Sequence, residues 1–114
     1  MKLSEIVNTL GLKVKTGEHR LNEEVTGGYA SDLLSDVIAH SHKGNIWVTI
    51  QIHPNIVAVA TLKEIAGIIL AGGREPDPDT VQKANEEGIP ILTSPLSIFE
   101  LAGKLYQIGI SGMS

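Results

Sequence analysis

A chain of 114 residues with 42% hydrophobic and 19% charged side chains is long enough for one core and too apolar for a disordered segment. Its formal net charge is -4, and no cluster of Lys or Arg is long enough to neutralise a row of phosphates, which argues against a nucleic-acid partner. There is no cysteine, so disulfides, thiolate metal sites and a Cys nucleophile are excluded.

The amino-terminal stretch "KLSEIVNTLG" places Leu3, Ile6, Val7 and Leu10 at helical spacing, with Gly11 where a helix usually stops. Lys2, Glu5 and Asn8 interrupt it, so it lacks the continuous apolar block expected of a signal peptide, and no later run reaches membrane-spanning length. A cytoplasmic protein without a membrane partner is the expectation. "LKVKTG" alternates and turns at Gly17, predicting a strand over Leu12 to Lys15. A second strand is expected to lead into Thr26, Gly27 and Gly28. Ser31 then caps a helix with Asp32 in its first turn and Leu33, Leu34, Val37 and Ile38 on its buried stripe.

"IWVTIQI", Ile46 to Ile52, is rich in β-branched residues and reads as a strand. "HPNIVAVATLKE" fits a helix entered through Pro54, because Pro is tolerated at a first helical position and another apolar strand follows closely. "IAGIILAGG" reads as a buried strand ending in glycines, and "DPDTVQKANEEG" as a helix between Pro78 and Gly88. "IPILTS" and "SIFELAGKLYQIG" supply the last strand and helix. With one Phe, one Trp and two Tyr, aliphatic side chains must fill the core.

Alternating strands and helices with short connections predict a three-layer α/β/α domain with a mainly parallel sheet of about five strands. The whole chain, 1–114, is expected to be one domain. In such sheets ligands bind beyond the carboxyl ends of the strands. The residues predicted there are Thr26, Gly27 and Gly28; His53 and Asn55; Gly72, Gly73 and Arg74; and Thr93 and Ser94. They offer backbone amides, two hydroxyls, a guanidinium and an imidazole, a set suited to a small anion. Each also has a plainer reading: the glycines as turn residues, Arg74 as a solvated side chain beside Glu75, and His53 as a partly buried histidine.

No phosphate-loop or dinucleotide fingerprint occurs. His40 and His42 lack a third nearby ligand, so neither a metal nor a cofactor is expected. Ser94 stands outside any Gly-x-Ser-x-Gly context, and no nucleophile, base and oxyanion arrangement is recognisable, which argues against an enzyme.

Three stretches together, "VTGG" at Val25 to Gly28, "GIILAGGREP" at Gly67 to Pro76 and "GIPILTSPLSIFELA" at Gly88 to Ala102, resemble the DRTGG domain family. The resemblance implies an α/β fold similar to the amino-terminal domain of HPr kinase, used as a regulatory module. Related domains accompany CBS domains in inorganic pyrophosphatases and precede the catalytic part of some phosphotransacetylases. Where the family name has Asp-Arg, this chain has Glu24-Val25, which keeps the acid in kind and loses the guanidinium. Val25→Arg is therefore expected to fold normally. Two functions remain open from sequence: a non-catalytic sensor of a small anionic metabolite or nucleotide, or an interaction domain without a ligand that docks on an enzyme or on itself. Apolar "IVAVATL" and the Phe99, Leu101, Leu105 and Tyr106 group favour a homodimer.

Overall fold

Leu3 and Ile6 are fully buried and Val7 and Leu10 pack beside them, so the first apolar stripe does form a helix, α1 (Leu3–Leu10). It stops at Gly11, whose left-handed backbone lets its N–H return to the Val7 carbonyl. The computed structural model describes residues 1–112, and the remaining elements follow as β1 (Lys13–Thr16), β2 (Gly27–Ala30), α2 (Leu34–His40), β3 (Asn45–Thr49), α3 (Asn55–Lys63), β4 (Gly67–Leu70), α4 (Pro78–Glu87), β5 (Ile91–Thr93) and α5 (Ile98–Gln107). A single 3₁₀ turn, Glu18–Arg20, follows β1.

One five-stranded sheet runs in the order β1-β5-β4-β3-β2. The four strands from β2 to β5 are parallel, and β1 is antiparallel to β5 at one edge. Successive residues of the central strands point to opposite faces, and both faces are covered. Ile46, Val48, Ile69 and Leu92 pack under α1 and α5 with Leu3, Ile6, Leu101 and Leu105. Trp47, Ile68, Leu70 and Ile91 pack against Val37 of α2, Ile56 and Val57 of α3 and Ala84 of α4. That double burial is why β3 and β4 read as unbroken apolar runs.

Three expectations about the first half need correction. Gly27 and Gly28 do not follow a strand: they begin β2, Gly27 pairing with Asn45 and Gly28 with Ile46, because parallel pairing to β3 makes a strand of residues with little strand propensity. Ser31 and Asp32 do not start the next helix. Ser31 Oγ accepts from the Leu33 amide at 3.2 Å, and helix α2 opens only at Leu34. Asp32 is drawn to the neighbouring strand end, where its Oδ1 accepts from Thr49 Oγ1 at 2.8 Å and from the Ile50 amide at 2.9 Å. Those bonds also mark where β3 ends, three residues short of the predicted Ile52.

Candidate functional site

The carboxyl edge of the sheet is built from the residues after Ala30, Thr49, Leu70 and Thr93, and from the start of β1, whose reversed direction brings Lys13 there opposite Thr93. Of the predicted site residues, His53, Asn55, Gly72, Gly73, Arg74, Thr93 and Ser94 lie at this edge. Thr26, Gly27 and Gly28 lie at the other one, beside the first residues of β3.

Gly72 and Gly73 both have positive φ, +69° and +73°, and the Arg74 amide closes the turn on the Ala71 carbonyl at 3.3 Å. Neither glycine amide is available to an anion. Gly72 N–H donates to Leu96 O at 2.8 Å and Gly73 N–H to Ser94 O at 2.9 Å, so this turn laces the loop after β4 to the loop after β5. Ser94 is buried and its hydroxyl accepts from the Leu96 amide at 3.1 Å, so it belongs to the same lacing.

Near the β1–β5 side of this edge two cations are exposed. Arg74 is exposed and makes no ion pair among the described residues, because neighbouring Glu75 is held by Lys15 at 2.6 Å. Lys13 is likewise exposed and unpaired. Thr93 is paired in register with Leu70 on one side and Lys13 on the other, and its hydroxyl has no hydrogen-bond partner among the described residues. Lys13 carried no signal in the sequence, since its position depends on the direction of β1.

His53 and Asn55 sit apart from this corner, at the start of α3, facing the start of α4. His53 Nδ1 lies 3.9 Å from Asp77 Oδ2, beyond hydrogen-bond distance, and both groups are open to solvent. The turn between the two helices is set by backbone and hydroxyl contacts instead, Asp77 N–H and Thr80 Oγ1 donating to Ile52 O at 3.2 and 2.6 Å.

At the amino edge, Thr26 locks the turn into β3. Its hydroxyl donates to Lys43 O at 2.8 Å, and its amide donates to Gly44 O at 2.9 Å. Gly44 has φ +82°, and a Cβ there would stand 2.8 Å from Thr26 Cγ2. A hollow of about 700 Å³ opens beside this turn, but its walls include Glu23, Glu24, Glu64 and Glu87 against Arg20 and Lys43. Arg20 is already paired with Glu23 at 2.8 Å and Lys43 with Glu64 at 3.4 Å. The Met1 amine, 2.9 Å from Glu24, holds that carboxyl below its ordinary value through a hydrogen bond and its charge. An anion is disfavoured here. Val25, at the position of the family's arginine, is only 6% exposed and packs in the core under α1 and α5.

A second hollow, about 250 Å³, lies between α5 and the open side of β2. Gly28, Ala30 and Ala102 leave the space, and Leu105, Tyr106 and Ile110 wall it. The Gly28 amide, which faces this side, donates to Ser111 O at 2.9 Å. On the opposite face of β2, Tyr29 donates to Asp36 Oδ2 at 2.8 Å and His40 Nδ1 lies 3.0 Å from Asp36 Oδ1. The Tyr29 bond, with smaller help from Ser31 and His40, lowers the Asp36 pKa, and the same bond raises that of Tyr29.

Among the described residues no group of three His, Asp or Glu side chains could hold a metal ion, and no helix is long and apolar enough to cross a membrane. The DRTGG domain family matches residues 5–108, nearly the whole chain. The chain belongs to the DRTGG domain family. Among solved structures this DRTGG domain is similar to the CBS and DRTGG domains of the regulatory region of Clostridium perfringens pyrophosphatase, a structure complexed with the activator diadenosine tetraphosphate. The TM-score is 0.68 at 16% identity, which is a likeness of fold, covering 90% of this chain and 44% of that one. The DRTGG domain thus spans less than half of that regulatory region. No curated protein matches the chain.

Proposed function

We propose that this DRTGG domain is a one-domain, non-catalytic regulatory module of the cytoplasm that binds a small anionic metabolite or nucleotide at the carboxyl edge of its sheet and acts on an enzyme partner. The observation that carries the reading is that two exposed cations, Arg74 after β4 and Lys13 in register with Thr93, have no ion-pair partner among the described residues at this edge. On a chain of net charge -4, two exposed cations left without carboxylates at the edge where parallel sheets bind ligands form a local attraction for an anion. A guanidinium can grip a phosphate or carboxylate through two donors, with the ammonium and hydroxyl adding further contacts. The solved relative supports a regulatory role and a nucleotide-like ligand, since that regulatory region was captured with a nucleotide activator. Ser94, its hydroxyl accepting from a backbone amide, and His53, out of reach of Asp77, support a binding role rather than catalysis.

A thermal-shift screen of nucleotides and phosphorylated metabolites tests this. A ligand at a hundred times its dissociation constant should add about 2.7 kcal/mol to the stability, and Arg74→Ala with Lys13→Ala should abolish the shift without lowering the ligand-free melting temperature. A screen in which nothing shifts the wild type removes the sensor reading.

A second reading, a protein-interaction domain without a ligand, is favoured by the exposure of Phe99 and Tyr106 on α5, at 84% and 62%. Aromatic side chains left this open are candidates for burial against another chain. Apolar "IVAVATL", by contrast, gives Ile56, Val57, Val59 and Ala60 to the monomer's own core.

A further inference from the structure

We propose that the groove between α5 and the free edge of β2 binds a flat, uncharged nitrogen heterocycle of the adenine class, one that carries an amino donor beside a ring-nitrogen acceptor. The site is distinct from the Arg74 and Lys13 corner, because β1 and β2 are opposite edges of the sheet. β2 pairs with β3 on one side only, and an edge strand presents backbone donors and acceptors on its other side. Which groups those are follows from two bonds. The Ser31 amide donates inward to Val48 O at 3.2 Å, and the Gly28 amide donates outward to Ser111 O at 2.9 Å. Tyr29 and Ser31 therefore serve the ladder, and Gly28 and Ala30 serve the edge. Residues 110–112 reach this edge at the Gly28 amide. The Gly28 carbonyl and the Ala30 amide, side by side on the same edge, have no hydrogen-bond partner among the described residues.

Val48, inside the edge, and Ser111, outside it, both line the 250 Å³ groove, so the groove straddles the edge that carries these two groups. Among the described residues no charged side chain lines it, which selects a neutral occupant, since an ion would lose its hydration without gaining a counter-charge. The volume lies below the roughly 300–1,000 Å³ of a pocket that takes a whole drug-sized ligand, and so suits a single ring system. Tyr106 stands at the rim, 62% exposed, and its hydroxyl accepts from the Gly112 amide at 3.1 Å, which holds the phenol ring in place for a flat ligand to stack on. Apolar walls, an anchored aromatic ring and one acceptor next to one donor together describe an aromatic heterocycle whose edge offers the complementary pair. An added peptide strand would use the same backbone groups, but the open length, from the Gly28 carbonyl to Ala30, is shorter than the roughly three to ten residues of ordinary strands.

Adenosine is the probe, because a nucleoside brings the ring without a phosphate for Arg74 and Lys13. Titrated into the full chain and followed by backbone amide chemical shifts and calorimetry, it should bind saturably, with the Ala30 amide among those that move most. Ala102→Leu fills the groove and should abolish binding. Tyr106→Ala, which removes an exposed ring, should weaken it by roughly tenfold while leaving the melting temperature in place. Purine riboside, which lacks the amino group, and N6,N6-dimethyladenosine, which lacks its protons, should each bind roughly tenfold more weakly or worse, because the Gly28 carbonyl is left unpaired. The combined Arg74→Ala and Lys13→Ala variant should bind adenosine as the wild type does, which keeps this site separate from the anion site in the readout. Absence of saturable adenosine binding would overturn the proposal, as would binding that is indifferent to both Ala102→Leu and Tyr106→Ala. Equal affinity for adenosine and purine riboside would overturn the pairing with the β2 edge.

Discussion

Replacing Gly73 by alanine separates a glycine needed for backbone shape from one needed to admit a ligand. Gly73 has φ +73°, yet nothing lies within 4 Å of a Cβ built there, so the substitution meets no neighbour. The cost is then the left-handed backbone alone, about 1–2 kcal/mol for a residue with a Cβ. For a chain of this length that corresponds to a fall in melting temperature of roughly 4–8 °C. Asparagine, which tolerates the left-handed region better, should lose less, and valine more, because its branched Cβ restricts the backbone further. Two other glycines calibrate the scale. Gly44→Ala combines φ +82° with a Cβ 2.8 Å from Thr26 Cγ2 and should cost more than Gly73→Ala. Gly103→Ala, inside α5 with open space around it, should be stabilising by up to about 1 kcal/mol. Thermal unfolding followed by circular dichroism reads the series. Because the Gly73 amide is bonded to Ser94 O, Gly73→Asn should also leave any ligand response unchanged. A melting temperature for Gly73→Ala equal to the wild type, or a ligand response lost in Gly73→Asn with the fold intact, would refute the assignment of this turn to backbone shape.

Val25→Arg, expected from the family signature to fold normally, should instead lower stability, since it gives up most of the roughly 1.5–3 kcal/mol of a buried valine and forces a guanidinium outward past the core; urea unfolding at unchanged stability would contradict this. Trp47→Phe should cost about 1–3 kcal/mol in the same assay, because Trp47 is fully buried and its Nε1 donates to Ser31 O at 2.8 Å; a neutral result would mean that the carbonyl finds water. The depressed Asp36 pKa favours the folded state above the ordinary carboxyl value of 3.8, and that contribution is lost as the pH falls through the lower folded value. Tyr29→Phe should accordingly shrink the loss of stability on the acid side, and an acid limb identical to the wild type would show the Tyr29 bond to be inert.

The layers and most helices were legible in the sequence because their residues do one thing. Ile46, Trp47 and Val48, and Gly67 to Leu70, are buried on both faces, so their hydrophobicity alone marks strands, and Leu3, Ile6 and Leu10 keep helical spacing. β2 was not legible. Gly27, Gly28, Tyr29 and Ala30 have no strand pattern of their own and become a strand only by pairing with β3, a contact between residues about 18 positions apart. Asp32 misled for a related reason: its place in the sequence suits a helix start, but the amide and hydroxyl at the end of β3 offer its carboxylate two donors at once.

The same non-local pairing decides what could be foreseen of the site. Moving β2 by a few residues carries Thr26, Gly27 and Gly28 from the carboxyl edge to the amino edge, because a four-residue strand is short enough for its ends to be exchanged by a small error. There Thr26 binds Lys43 O and fits against Gly44, which accounts for a Thr-Gly-Gly sequence by the geometry of two adjoining strands without any ligand. Arg74, Thr93 and Ser94 were placed correctly because β4 and β5 are apolar to their last residues, so their ends are visible. What the sequence could not reveal was which groups at that edge stay free. The Gly72, Gly73 and Ser94 groups that looked available are spent on one another's loops, while Lys13, which looked like the exposed start of a minor strand, reaches the edge only because β1 runs against its neighbour. Availability of a polar group is a property of its partners, and in this fold those partners come from segments as far apart as Lys13 and Thr93.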